Sequence, residues 1–371
     1  MSKIIIGGNN MVTIEELLRT AKEKNASDVH ITVGIPPKMR VNGSLINMSY
    51  PCLQPEDTEK IISEAMNKKQ LEVLEEKGQV DFSFAIPSIG RYRMSVFKQR
   101  GSLAAALRVV GSDIPKPTTL NLPKQAIDLY KKNRGLILVT GPAGGGKSTT
   151  LASIIDMVNQ NRNLHVITIE DPIEYLHTHK CSMVNQREIG MDSNSYSEAL
   201  EAALREDPDV LFVGELKDPE TILLAITAAE SGHLVFSSLY TIGAVDTIER
   251  IIDVFPTNQQ QQVRVQLAAV IRAVVSQQLI PSKDKTRRIP VFEMMFANKE
   301  IKTLIKTNRS EKIEEVMKNA KKDGMKRMDD SILVLYANGE ITRDSAINFA
   351  KDPQLMEKTI ELFESKYKKN N

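Results

Sequence analysis

The sequence contains no tryptophan, and phenylalanine with tyrosine brings aromatic residues to only 5% of 371 positions. That leaves little material for a base-stacking surface on single-stranded nucleic acid. Cysteine is scarce too: Cys52 and Cys181 stand alone without a C-x-x-C pair. This excludes a cysteine zinc site and a disulfide framework, and it fits a reducing compartment. Net charge is nearly missing, at +2, which disfavours a dedicated nucleic-acid binder and leaves room only for a local basic patch. No apolar run approaches the ~20 residues that span a bilayer. The opening residues 1–10 also have too short an apolar core for a signal peptide. Together these absences point to the cytoplasm. What remains is ordinary globular material, 41% hydrophobic and 26% charged, in a chain comfortable for two domains.

The most informative stretch is Gly141-Pro142-Ala143-Gly144-Gly145-Gly146-Lys147-Ser148, a full match to G-x-x-x-x-G-K-[ST]. A short apolar run, residues 135–140, precedes it, and residues 149–156, beginning with Thr149, read as a helix. Glycines let backbone N–H groups turn inward around phosphate oxygens, which a side chain would block. The N-terminus of the following helix adds unpaired N–H groups and partial positive charge. Lys147 is then expected at the β- and γ-phosphates, and the Ser148 hydroxyl on Mg²⁺. The plain alternative is a glycine-rich turn with an incidental lysine, and the strand–loop–helix context weighs against it. ATP or another nucleoside triphosphate is the expected ligand.

Around this loop the pattern divides the chain. A capping-box Thr13 with Glu16 opens a helix over residues 13–24, and strand-like alternation follows at 29–33, 38–42, 80–85, 90–97 and 103–110, with helical spacing at 57–66. Helices mixed with antiparallel strands predict an α+β domain over residues 1–114. Residues 115–123 carry linker-like proline and polar content. Beyond them the apolar runs 136–139, 164–169, 210–213 and 234–236 alternate with helices, which predicts a parallel sheet buried on both faces in an α/β domain over 124–371. Charged helical patterns from about residue 300 close the chain. Gln259–Gln262 is expected on an exposed helix face.

Two acidic elements follow the loop. Glu170, Asp171 and Glu174 end one apolar run, and Glu215 ends another. Ligands of open parallel sheets sit outside the carboxyl ends of the strands, so both elements are expected to face the loop. Carboxylates there can hold Mg²⁺ and its waters and orient an attacking water. An acidic residue at a strand end is by itself usually a solvated loop or cap, but two such ends downstream of a phosphate loop reverse that weighting.

The phosphate loop, Ile169–Glu174, Arg205–Asp209 and Gly214-Glu215 resemble the secretion-type AAA-like ATPases of type IV pilus and type II secretion systems. The likeness extends to Ala26–His30, Gly34–Pro37, Asn185–Glu188, Ala228–His233 and Ser276–Leu279, and it is strongest to the twitching-motility retraction branch. The resemblance implies a PAS-like first domain, a RecA-like P-loop ATPase domain with C-terminal helices, and a homohexamer with ATP and Mg²⁺ between the two domains. It also implies an inner-membrane pilus platform as partner, at the cytoplasmic face of that membrane. By the same resemblance Glu174 matches the catalytic glutamate, Glu215 an atypical Walker B glutamate acting on Mg²⁺ or water, and His233 the first histidine of a histidine box. For His233 the plain alternative is a helix-end histidine bonded to backbone. Arg91, Arg93 and Arg108 match strands whose arginines reach the γ-phosphate of a neighbouring or the same subunit's ATP. Surface charge is their plain alternative, although alternation puts Arg91 and Arg93 on one strand face.

The sequence also departs from the family. Ala143 and Gly145 replace a usual threonine and serine, a change that a backbone cradle is expected to tolerate. Tyr240 replaces a histidine and cannot carry positive charge near phosphate; Ile242 and Gly243 replace a polar residue and a serine. Residues 300–304 only partly match the retraction motif Ala-Ile-Arg-Asn-Leu. Assembly-type relatives carry a longer N-terminal extension and a four-cysteine zinc element, both missing here, which favours the retraction branch. Two rival readings stay open, an accessory paralogue with weak or partner-dependent activity and a nucleotide-gated scaffold. DNA translocation is a weaker third.

Overall fold

The computed structural model describes residues 12–87, 89–111 and 113–369, so the signal-peptide expectation for residues 1–10 lies outside the described residues. The chain divides into two compact units, Met1–Ser112 and Asp113–Asn371.

In the first unit, α1 (Ile14–Glu23) starts at Thr13, whose hydroxyl accepts the Glu16 amide while the Glu16 carboxylate accepts the Thr13 amide. This is the capping box the sequence spells out. Then come β1 (Asp28–Ile31), β2 (Lys38–Val41), β3 (Ser44–Asn47), α2 (Pro55–Ser63), α3 (Lys68–Lys77), β4 (Gln79–Ile86), β5 (Gly90–Gln99) and β6 (Ser102–Val110). The strands form an antiparallel sheet in the order β3-β2-β1-β6-β5-β4. Leu17 and Leu18 of α1 and Ile61 and Ile62 of α2 pack on Tyr92, Met94 and Leu107 of the sheet. Tyr92 and Met94 point inward, so their neighbours Arg91 and Arg93 share the opposite face. Helix α3 was not expected, because its sequence is mostly charged and buries only Leu74.

The second unit runs α4 (Lys124–Ile127), β7 (Gly135–Thr140), α5 (Lys147–Asn161), β8 (His165–Glu170), β9 (Met183–Glu188), α6 (Tyr196–Ala203), β10 (Val210–Val213), α7 (Pro219–Glu230) and β11 (Leu234–Leu239). It continues with α8 (Ala244–Asp253), α9 (Thr257–Val270), β12 (Ile271–Pro281), β13 (Arg288–Phe296), α10 (Lys299–Lys306), α11 (Ile313–Asn319), α12 (Met328–Ala337), α13 (Arg343–Phe349) and α14 (Pro353–Lys369). The sheet order is β13-β12-β7-β11-β10-β8-β9. Every neighbouring pair is parallel except β12 with β13.

Successive residues of β7 serve opposite faces, as a doubly covered sheet requires. Leu136 and Leu138 join α6 to α9, whereas Ile137 and Val139 meet Leu151, Ile154 and Val158 of α5. Gln259, Gln261 and Gln262 lie exposed on α9. The closing helices α12 to α14 gather around Ile332, Ile341 and Ile360 over Ile280 and Val291 of the β12–β13 hairpin. The helix α10 is intact across residues 300–304, with Ile301 and Ile305 buried.

Candidate active site

Parallel strands β7, β8, β10 and β11 end on the same edge of the second unit, and their carboxyl ends open into one cleft of about 400 Å³. The loop after β7 supplies residues 143–148, β8 supplies Glu170 and leads to Asp171 and Glu174, β10 leads to Gly214 and Glu215, and β11 leads to Tyr240. The phosphate loop and both acidic elements therefore meet, each placed by the strand before it.

The loop is built against β12. Gly141 has φ +146, and a Cβ there would sit 2.1 Å from the Gln277 carbonyl oxygen. A Cβ on Gly145 would lie 2.9 Å from the Pro142 oxygen, so the loop closes more tightly than the family's serine would allow without a shift. Gln277 also accepts the Thr150 hydroxyl at 2.6 Å. The Ser276–Leu279 motif thus works as the wall behind the loop, and the Thr140 hydroxyl donates to Ser276 at 3.0 Å.

Lys147 opens α5 with its side chain folded back. Its ammonium donates to the Gly141 and Pro142 carbonyls, each at 3.0 Å, and lies 4.0 Å from the Tyr240 ring centroid. Burial pulls its pKa down, and the Glu215 and Glu174 carboxylates act in the opposite sense. Ser148 Oγ donates to Glu174 Oε1 at 2.8 Å, and the neighbouring Thr149 hydroxyl bonds the Tyr175 hydroxyl at 2.9 Å. Glu215 lies 3.3 Å from the Lys217 ammonium. Glu170 is 8% exposed and accepts Thr168 Oγ1 at 2.6 Å and Gln186 Nε2 at 3.1 Å. Burial raises its carboxyl to about 7 against those hydrogen bonds.

The oxygens of Ser148, Glu174 and Glu215 in one cleft are hard donors of the kind Mg²⁺ takes. That ion keeps several waters and substrate oxygens, so one or two protein ligands suffice. The described residues contain no cluster of three His, Cys, Asp or Glu suited to hold a metal by themselves.

His233 lies elsewhere. It stands just before β11, where its Nδ1 is 2.9 Å from the Ala228 carbonyl and 3.1 Å from Ser231 Oγ. Tyr240 sits at the other end of that strand, so about 20 Å of extended chain separates His233 from its own loop. This bonding is that of the helix-end alternative, and His233 does not line the cleft. Arg91, Arg93 and Arg108 belong to the first unit. Arg108 Nε donates to Asp28 Oδ1 at 3.0 Å, and Arg93 faces Arg108 directly across the β5–β6 pair.

Arg288 was not anticipated. It opens β13, lines the cleft and donates to the Gly144 carbonyl at 3.4 Å. Its signal in the sequence is the Arg287-Arg288 pair before an apolar run, which gains meaning only once the hairpin is known. Tyr196, at the start of α6, also lines the cleft, and no motif in the sequence marks it.

Residues 9–345 match the family described as type II/IV secretion system protein. The type IV pilus retraction ATPase PilT of Pseudomonas aeruginosa is 40% identical over 341 residues, covering 92% of this chain and 99% of the relative. The type IV pilus ATPase PilU of the same organism is 38% identical over 345 residues, covering 92% and 90%. A crystal structure of the pilus retraction motor PilT with bound ADP matches with TM-score 0.87 and 46% identity, covering 94% of this chain and 99% of that one.

Proposed function

The chain belongs to the type II/IV secretion system protein family, and on that premise we propose an ATP-hydrolysing motor, assembled as a homohexamer, that powers type IV pilus retraction. One observation carries the reading: Ser148 of the phosphate loop lies 2.8 Å from Glu174 of the acidic strap, with Glu215 in the same cleft. A binding loop alone would hold a nucleotide, whereas a loop bonded to one carboxylate and facing a second can also bring water to it.

In this account the loop amides and the N-terminus of α5 receive the phosphates, and the Lys147 ammonium lies beside the β- and γ-phosphate oxygens. Ser148 and Glu215 would hold Mg²⁺, which would neutralise charge on the phosphate oxygens. Glu174 orients the attacking water and takes its proton. Arg91, Arg93 and Arg108 are assigned to the phosphates of a neighbouring or the same subunit's nucleotide. Support comes from the pairing of Arg93 with Arg108 across β5 and β6, which sets two cations side by side, with Asp28 already neutralising one of them. His233 keeps a structural place at the end of α7. The partner is an inner-membrane platform at the cytoplasmic face, and nucleic acid has no part. No helix of the described residues is long and apolar enough to cross a membrane.

A second reading, an accessory ATPase needing a partner, is favoured by Tyr240, by the altered residues 300–304 and by the likeness to PilU. Steady-state phosphate release from the purified oligomer at saturating ATP and Mg²⁺ separates the two. The motor reading expects turnover by this protein alone, with Glu174→Gln losing about 10²-fold or more while still binding ATP. Absence of turnover in the parent protein, or parental rates in Glu174→Gln, contradicts it.

A further inference from the structure

We propose that Tyr240 is a gate on Lys147, a ring that competes with the nucleotide's phosphates for the same ammonium group. This rests on the nucleotide reading of the cleft and concerns a residue in which the chain departs from its family.

An ammonium group offers three N–H donors. In this structure two point at the Gly141 and Pro142 carbonyls at 3.0 Å, and the face of the Tyr240 ring lies 4.0 Å away. Lys147 therefore has no idle donor to offer a phosphate oxygen, and one of the three partners has to leave. The carbonyls belong to a loop that Gln277 packs from behind, and hydrogen bonds to a charged group are the stronger contacts. A cation–π contact is the weaker one. Tyr240 is also 58% exposed, so its ring can swing into water without opening a core. Tyr240 is thus the partner that gives way.

The segment that carries it is short and tied beyond it. Thr241 Oγ1 bonds Thr247 Oγ1 at 2.8 Å, the Gly243 amide donates to Ser276 Oγ at 2.8 Å, and the Ala244 amide donates to Glu293 Oε1 at 2.6 Å. Displacement of the ring is therefore a side-chain rotation rather than a loop rearrangement. A histidine at this position would repel Lys147 when charged. The tyrosine instead attracts the lysine, and it makes entry of the phosphates a competition.

The test is ADP affinity, measured by calorimetry, in the parent and in Tyr240→Phe and Tyr240→Leu. Phe keeps the ring face and is expected to bind as the parent does, whereas Leu removes the competitor and is expected to bind about three- to tenfold tighter. Because the chain has no tryptophan, Tyr240→Trp places a single, selectively excitable tryptophan over Lys147. Its emission is expected to change saturably as ADP is added, to a solvent-exposed spectrum. Equal or weaker ADP binding by Tyr240→Leu, or Tyr240→Trp emission indifferent to saturating ADP, overturns the gate. A parent protein that binds no ADP overturns the nucleotide reading itself. ADP binding by the parent without tightening in Tyr240→Leu overturns the gate alone.

Discussion

At the end of β8 the Glu170 carboxyl is 8% exposed and lies beside the loop that receives phosphate. Burial raises it to about 7, whereas an unfolded glutamate titrates near 4.5. Between those values the folded protein binds a proton that the unfolded chain has lost. The stabilising contribution is therefore complete below pH 4.5 and disappears as pH rises through about 7. At about 1.4 kcal/mol per unit, the effect is on the order of 3 kcal/mol. Glu170→Gln, which cannot ionise, is expected to gain stability relative to the parent by that order between pH 5 and pH 8 in denaturant titrations. A stability difference that does not vary with pH removes the charge cost assigned to this site. Lys147 and Ser148 were legible in the sequence because a phosphate cradle is made by backbone, so its glycines and lysine stand at fixed spacing. The contact of Lys147 with Tyr240 was not, since 93 positions separate the two residues and only adjacency of β7 and β11 joins them.

The element that carries Glu174 is a strap from Ile173 to Ser182 held along both sides. On one side Glu188 accepts the Ile173 amide at 3.0 Å, and Gln186 accepts the His177 amide at 2.7 Å and donates to the Tyr175 carbonyl at 2.9 Å. On the other side α5 holds it: Ser148 bonds Glu174, Thr149 bonds Tyr175, and the buried Asn159 donates to the Thr178 carbonyl at 2.7 Å and accepts the Lys180 amide at 3.1 Å. The helix that positions the phosphates thus also positions the carboxylate. Asn159→Ala is expected to cost about 1–3 kcal/mol in thermal denaturation, and to lower kcat for ATP with KM little changed. A raised KM with parental kcat contradicts the strap's role in placing Glu174. The apolar runs of β7, β8, β10 and β11 were legible because both faces of those strands are buried. Strands β9 and β12 were not: Asn185 to Glu188 and Ser276 to Gln278 interrupt their apolar pattern with polar residues, of which Gln186 and Glu188 bond the strap and Gln277 backs the loop. Helix α9 also passes from Val270 straight into β12 at Ile271, with no turn residue to mark the change.

For the whole molecule, the second unit contains the loop, both carboxylates and the gate, whereas the arginines assigned to phosphate lie in the first. The motor proposed here is a homohexamer in which each copy carries both units. Mass measurement of the native assembly is expected to give six copies of the 41.4 kDa chain, and a stable monomer or dimer under turnover conditions speaks against a ring motor. The most direct measurement is pilus retraction in cells deleted for this protein and its paralogues, complemented with the parent or with Lys147→Ala. The account predicts that the parent alone restores retraction and that Lys147→Ala leaves pili extended. Retraction restored equally by Lys147→Ala, or restored by the parent only beside a second ATPase, would contradict it.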